Sequence, residues 1–285
     1  MQRKRVSPPQ MTITDDGLYI PDVGDWAEDK YRLLWCYLDL FATSMKAKWD
    51  ARCYIDLFAG SGYARIRGTS RIVQSSSFLA LQVTDPFDCY IFCDSDPRCI
   101  SSLEARVSRL RPAARCFFKN RDVNSSSADI ISDLPSHGPD RKVLSFCFID
   151  PCKIKDIKFA LIRDLSSRYV DFLIHIPVMD PKRSESARLR EDSGVISDYL
   201  GTTSWKDARK KGDPAIPFDI FIGEVLDKQM KSLGYVHGGI SASVMIRSTE
   251  RNLPLYRLAF YSRHALGEKF WKSAKKYSDP QMSLF

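Results

Sequence analysis

Five short runs between residues 51 and 177 are apolar nearly throughout: CYIDLF, CYIFCD, ARCFF, VLSFCFID and VDFLIHIP. Strands with no polar face must be covered on both sides. Between them lie SSFLALQV, PRCISSLEARVSRL, SSADIISDL and IKFALIRDLS, which read as helices, with Pro97 opening the second. Strand–helix alternation of this kind predicts a parallel sheet with helices on both faces. A helix from about Asp29 to Met45 precedes the first strand, carrying Leu33, Leu34, Tyr37, Leu38, Phe41 and Met45 at helical spacing.

After Pro177 the pattern breaks into the polar, basic stretches MDPKRSESARLRED and TSWKDARKKGDPAIP, which suggest an insertion. A helix over FDIFIGEVLDKQMKSLG follows. Strands near ISASVMIRS and PLYRLAFYS, joined by the turn-like TERN, should pair antiparallel at the sheet edge, and EKFWKSAKKY forms a last helix. The expected organisation is an N-terminal arm (1–27), a Rossmann-like body (28–265) with an insertion at about 178–216, and a C-terminal helix and tail (266–285).

The chain has 285 residues and a formal net charge of +8, a balance that favours polyanionic partners. MQRKRVSPPQ is basic but lacks a following apolar segment, so it does not read as a secretory signal. No apolar run approaches the ~20 residues needed to span a bilayer. A cytoplasmic location without membrane association is expected. The eight cysteines include no CxxC pair and read as reduced core thiols. His137, His175, His237 and His264 suggest no metal cluster, and His175 reads as a wall or core residue of the fifth strand.

The stretch YIDLFAGSG follows the first strand directly. In open α/β sheets ligands bind beyond the carboxyl ends of the strands. Gly60 and Gly62 would let backbone approach a ligand without Cβ interference. The pattern is not the dinucleotide GxGxxG. An acid, Asp56, followed by Phe58 and a Gly-rich turn resembles the S-adenosylmethionine (SAM) loop of methyltransferases, whose ligand has a cationic amino-acid end. The second strand ends at Asp94, placed to accept from ribose hydroxyls, with Asp96 capping the next helix. Asp122, after the third strand, is placed to accept from an adenine amino group or to cap a helix. The expected fold class is therefore α/β: a doubly wound, mostly parallel, Rossmann-like methyltransferase sheet with an antiparallel C-terminal hairpin and a helical insertion.

The fourth strand ends in FIDPCK. Asp150 and Pro151 stand where amino-group methyltransferases carry Asp/Asn-Pro-Pro-aromatic, a motif that orients an acceptor nitrogen. Cys152 and Lys153 replace the second proline and the aromatic. Cys152 reads either as structural or as a nucleophile. Asp56, Asp94 and Asp150 would hold a divalent metal if they converged, the basis of a nuclease reading.

The blocks DGLYIPDVGDWAEDKYRLLWCYLDLF, YIDLFAGSGYARIRGT, VLSFCFIDPCKIKDIKFALIRDLS, VDFLI and LPLYRLAFYSRHALGEKFWKSAKKYSDPQMSLF resemble the bacterial three-Cys-motif partner family (TcmP). The resemblance spans about Asp16 to Phe285. It implies a methyltransferase-like fold, a three-Cys-motif protein as partner, a cofactor loop at Asp56, Phe58, Gly60 and Gly62, and a fourth-strand motif at Asp150-Pro151. QSSSF and GDW depart from the family's Gly-Ser-Pro and GPW.

The terminal QMSLF also resembles the pentapeptide by which bacterial proteins bind the replication sliding clamp. Gln281, Met282, Leu284 and Phe285 would be its anchors, held extended behind Pro280. Docking of the tail on its own body is the competing reading. A clamp ligand acts at DNA. Arg65, Arg67 and Arg71, Lys182, Arg183, Arg188 and Arg190, and Lys206, Arg209, Lys210 and Lys211 are then candidates for a phosphate track, or else solvated faces. The leading expectation is a SAM-dependent enzyme acting on DNA in repair, modification or phage defence. The alternatives are a non-catalytic adaptor and a metal-dependent nuclease.

Overall fold

A computed structural model gives the fold and describes residues 13–178 and 194–278. Strand β1 (Asp22–Val23) precedes helix α1 (Ala27–Met45), and β2 (Ala51–Asp56) enters the main sheet. A hairpin of β3 (Tyr63–Ile66) and β4 (Ile72–Gln74) leads to the short helix α2 (Ser76–Ala80). Then β5 (Cys89–Asp94), α3 (Pro97–Leu110), β6 (Cys116–Asn120), α4 (Ser127–Asp133), β7 (Val143–Ile149), α5 (Phe159–Leu165) and β8 (Val170–Pro177) alternate as expected. Helices α6 (Val195–Leu200), α7 (Trp205–Lys211) and α8 (Phe218–Ser232) follow. Strands β9 (His237–Gly238), β10 (Val244–Arg247) and β11 (Pro254–Ser262) and helix α9 (Ala265–Ser278) complete the described chain.

The main sheet has the order β10-β11-β8-β7-β2-β5-β6, with β9 beside β11. β6, β5, β2, β7 and β8 run parallel. β11 runs antiparallel to both β8 and β10, so the last strand inserts between the fifth and the edge strand. This is the doubly wound methyltransferase-like arrangement expected from the alternation. β2 and β7 are buried at every position, as strands covered on both faces must be.

Pleating divides the core in two. Tyr54, Phe92 and Phe146 face one layer with Tyr37 of α1 and Trp271 of α9. Cys53, Ile55, Ile91 and Cys147 face the other, under α5 and α8. Six cysteines are buried and Cys116 is half-buried, as reduced core thiols should be, whereas Cys152 is exposed.

Two segments differ from expectation. Only Ser76–Ala80 of SSFLALQV is helical. The preceding YARIRGTSRIV is a hairpin, which β1 joins by pairing parallel with β3. A strand of two residues leaves no period to read in the sequence. Among the described residues no helix is long and apolar enough to cross a membrane. Residues 279–285, with Gln281, Met282, Leu284 and Phe285, lie outside the described residues, as do Lys182, Arg183, Arg188 and Arg190.

Candidate functional site

A cavity of about 740 Å³ opens beyond the carboxyl ends of β2, β5, β6 and β7, where the strand order reverses. Its size falls within the ~300–1,000 Å³ of small-molecule sites. Phe58, Gly60, Asp94, Asp122, Asp150 and Cys152 all line it. The fold thus gathers residues spread over almost a hundred positions.

The loop after β2 is held from behind. Ala59 donates its amide to the Cys93 carbonyl at 2.9 Å, and Ser77 Oγ donates to the Ala59 carbonyl at 2.9 Å. The Gly60 amide donates to Asp94 Oδ2 at 2.9 Å, and the Asp96 amide donates to Oδ1 of the same carboxyl at 2.9 Å. Asp94 therefore ties the Gly loop to the next strand tip, and each oxygen retains accepting capacity. Burial pushes its carboxyl up, against the amides that favour the charged form. Asp96 caps α3 by accepting from the Arg98 amide, as expected.

The two glycines play different parts. Gly60 has φ +61° and nothing within 4 Å of where a Cβ would stand, so it presents open backbone to the pocket. Gly62 has φ +89°, and a Cβ there would lie 2.7 Å from Phe78 Cδ2. It is absent from the pocket wall, so its role is packing against α2 and α3 rather than ligand approach.

Asp56 also departs from expectation. Its carboxylate is fully buried beneath the loop, where it accepts from Tyr54 Oη at 3.0 Å and the Phe58 amide at 3.3 Å. Burial pushes it up to about 7. It braces the loop and does not reach the pocket. Asp150 is tied to Lys30, so Asp56, Asp94 and Asp150 do not form a shared cation site. Among the described residues no group of three His, Cys, Asp or Glu is placed to hold a metal.

Asp122 both lines the pocket and caps the turn after β6, with Oδ1 accepting from the Asn124 amide and Nδ2 at 3.0 Å each. The capping role read from sequence is thus present, in a residue that also faces the pocket.

Asp150 follows β7, and its Oδ2 pairs with Lys30 Nζ at 2.5 Å. Lys30 projects from α1 and is 8% exposed. Burial alone would lower its pKa, but the Asp150 carboxylate, with Tyr256 and Tyr31, holds it well above the usual lysine value. Lys30 is thus a permanent cation. Sequence reasoning missed it, because a lysine between apolar positions of an amphipathic helix reads as solvated face.

Cys152 is exposed as a residue, yet within the pocket partial desolvation and the Asp150 carboxylate push its thiol up. A nucleophilic cysteine needs the opposite shift. His175 is buried, its pKa lowered to about 4 by burial, and its ring lies 4.4 Å from that of Tyr256. Its Nδ1 has no partner among the described residues, and it stands as a neutral group of the wall, as read from sequence.

Residues 13–26 form a further wall. Tyr19, Pro21, Asp22 and Val23 line the pocket. Arg106 of α3, fully buried, clamps this segment through both oxygens of Asp16 at 2.7 and 2.8 Å and the Tyr19 carbonyl at 3.0 Å, and also donates to the Ser61 carbonyl at 2.6 Å. The side-chain hydrogen bonds from Arg106 hold the Asp16 carboxyl down to about 2.

The candidate phosphate track is partly committed elsewhere. Arg65 pairs with Asp15 and Arg71 with Glu28. Arg209 is buried against the Phe221 ring at 5.2 Å. The exposed cations Arg121 and Lys155 line the pocket, and the exposed Lys153 follows Cys152 in the chain. Arg121 pairs with Asp129.

No protein-family model matches the chain, and no curated protein matches it in sequence. Solved structures do. A Legionella pneumophila protein of the family DUF519 superposes with a TM-score of 0.50 at 11% identity, covering 90% of this chain and 94% of its own. An O-methyltransferase from Bacillus cereus in complex with SAH gives 0.46 at 10% identity, covering 86% and 85%. A putative O-methyltransferase from Klebsiella pneumoniae gives 0.42 at 11% identity, covering 86% and 84%. At such identities the likeness concerns the fold. Strand order, the inserted antiparallel strand and the pocket at the reversal point together make this a Rossmann-like, class I methyltransferase-type fold.

Proposed function

We propose that the chain is a SAM-dependent methyltransferase acting on an amino nitrogen of nucleic acid, with DNA as the leading substrate and RNA as the comparison. The observation that carries the reading is the meeting, in one pocket, of the open Gly60 backbone, the Asp94 strand tip and Asp150. The residues fit the cofactor. Gly60 leaves room where any Cβ would protrude, Asp94 retains accepting capacity for ribose hydroxyls, and Asp122 Oδ2 is available to an adenine amino group. SAM, when bound, supplies the electrophilic methyl group.

The protein's own contribution is orientation. Lys30 fixes Asp150 through Oδ2 and keeps a cation beside it, leaving Oδ1 to accept an N–H of the acceptor. That bond sets the direction of the nitrogen lone pair. Pro151 stiffens the backbone that follows. Lys153 stands where an aromatic would stack on a base, so stacking falls to the rings in the wall, Tyr31 and Phe58. The exposed Arg121, Lys153 and Lys155 and the net charge of +8 suit a phosphate backbone. Action in repair, modification or phage defence, recruitment to DNA by a sliding clamp through Gln281, Met282, Leu284 and Phe285, and partnership with a three-Cys-motif protein belong to the same proposal.

A non-catalytic adaptor is the second reading, favoured by the altered DPCK and by the engagement of Asp150 with Lys30. Calorimetric titration of ligand-free protein with SAM separates the two, followed by labelled-methyl transfer to DNA and RNA. The enzyme reading expects binding that Asp94→Ala weakens, and transfer that Asp150→Ala abolishes while binding persists. Absence of SAM binding refutes it.

A further inference from the structure

A second cavity lies at the opposite end of the sheet, where β7, β8 and α9 begin and α1 and β11 end. Its volume is about 350 Å³. The wall is mostly apolar, with Phe41, Met45, Trp49, Leu144, Leu266 and Phe270. Asp171 is the acidic residue in that wall. It sits near the start of β8 and is 8% exposed.

Of the cations in the same wall, Arg263 acts on it through its charge while its own donors are engaged elsewhere. Arg263 donates to the carbonyls of Ser166, Arg168 and Leu233. Lys48 is exposed. His264 Nδ1 accepts from the Leu266 amide at 3.1 Å. The Ser262 side chain is the hydrogen-bond partner of Asp171, and its hydroxyl also donates to the His264 carbonyl at 3.1 Å; among the described residues no lysine or arginine forms an ion pair with Asp171. Burial pushes this carboxyl up to about 7, opposed by Ser262 and by the charge of Arg263.

A carboxylate in an apolar wall is costly unless paired and hydrogen-bonded. The cavity therefore has an unusual chemical demand: a compact apolar body carrying a cationic N–H donor. Trp49 and Tyr169, with ring centroids 5.8 Å apart and His137 packed against both, add aromatic surface to the same wall. The volume is near the lower end of the ~300–1,000 Å³ seen for small-molecule sites.

We propose that this cavity is a binding site for a small apolar amine, held through Asp171 and separate from the pocket at Gly60. The site is independent of the methyl-transfer reading, since no residue lines both cavities.

The test titrates full-length protein with 2-phenylethylamine in mildly alkaline buffer, beside 2-phenylethanol as the uncharged comparator. Calorimetry and ligand-observed NMR read the binding. The amine should bind saturably and roughly tenfold more tightly than the alcohol, the scale of one charge-assisted contact. Asp171→Asn should erase that preference. Leu266→Trp, which fills the cavity from the start of α9, should weaken both ligands, and S-adenosylhomocysteine should not compete. Equal binding of amine and alcohol, no saturable amine binding, unchanged affinity in Leu266→Trp, or competition by S-adenosylhomocysteine would each overturn the proposal. If Asp171→Asn does not fold, the Leu266→Trp and competition results decide.

Discussion

Gly60 and Gly62 look equivalent in the sequence, yet alanine at the two positions should produce opposite defects. Both have positive φ, +61° and +89°, where an L-residue costs roughly 1–2 kcal/mol. At Gly60 the new methyl meets nothing within 4 Å, so that backbone term stands alone. At Gly62 it would lie 2.7 Å from Phe78 Cδ2 and 3.0 Å from Leu103 Cδ1, both in the core. Overpacking a core typically adds ~1–3 kcal/mol, giving roughly 2–5 kcal/mol in all. At about 2–3 °C per kcal/mol for a chain of this size, Gly62→Ala should lower the melting temperature by roughly 4–15 °C and Gly60→Ala by roughly 2–6 °C. Binding should reverse the order. The Gly60 methyl projects at the pocket and should weaken SAM by about tenfold or more, whereas folded Gly62→Ala should bind within a few-fold of the parent. Melting curves and calorimetric titration on the same samples measure both. A Gly62→Ala protein that melts like the parent, or a Gly60→Ala protein that binds SAM normally, refutes the division of labour.

Three further outcomes are expected. Lys30→Met strips Asp150 of its counter-ion and should cost about 1–3 kcal/mol, below the ~3–5 of a sealed pair because the pocket admits water to Asp150, while Lys30→Met with Asp150→Asn should recover much of it; a double-mutant cycle showing no coupling would dismiss the pair. Asp16 has a folded pKa depressed to about 2, so its contribution is full above the ordinary value of 3.8 and fades as pH falls through 2. After allowance for solvent screening it is about 1–2 kcal/mol, and Asp16→Asn should flatten that part of an acid-denaturation profile. Asp56 has the opposite sign: its pKa is raised to about 7, so the parent should lose stability as pH rises from about 4 to 7, whereas Asp56→Asn should not, and should still bind SAM. Loss of SAM binding on this substitution would return Asp56 to the pocket.

The strands of the parallel body were readable because each is buried on both faces, and such burial leaves an uninterrupted apolar run. The hairpin at Tyr63–Gln74 was not, since its strands are only four and three residues long and its other partner is a two-residue strand from the segment before α1. Among site residues, Asp94 and Asp150 were legible because a strand tip in this topology points at the ligand. Asp56 was misplaced by the same rule: it ends β2 as Asp94 ends β5, but it stands in register with Phe92, short of the strand tip of Asp94, and lies buried beneath the loop.

What the sequence by itself determined is the layer architecture and the position of the Gly-rich loop, because both rest on local periodicity and on a turn of contiguous residues. Only the tertiary structure decided which acid faces the pocket, which glycine is needed for packing, and that Lys30 meets Asp150 from 120 positions away. Periodicity reports which side of an element is buried. It carries no information about which side chains from distant elements arrive at the same point, and the charge, solvation and chemistry of a site are set there.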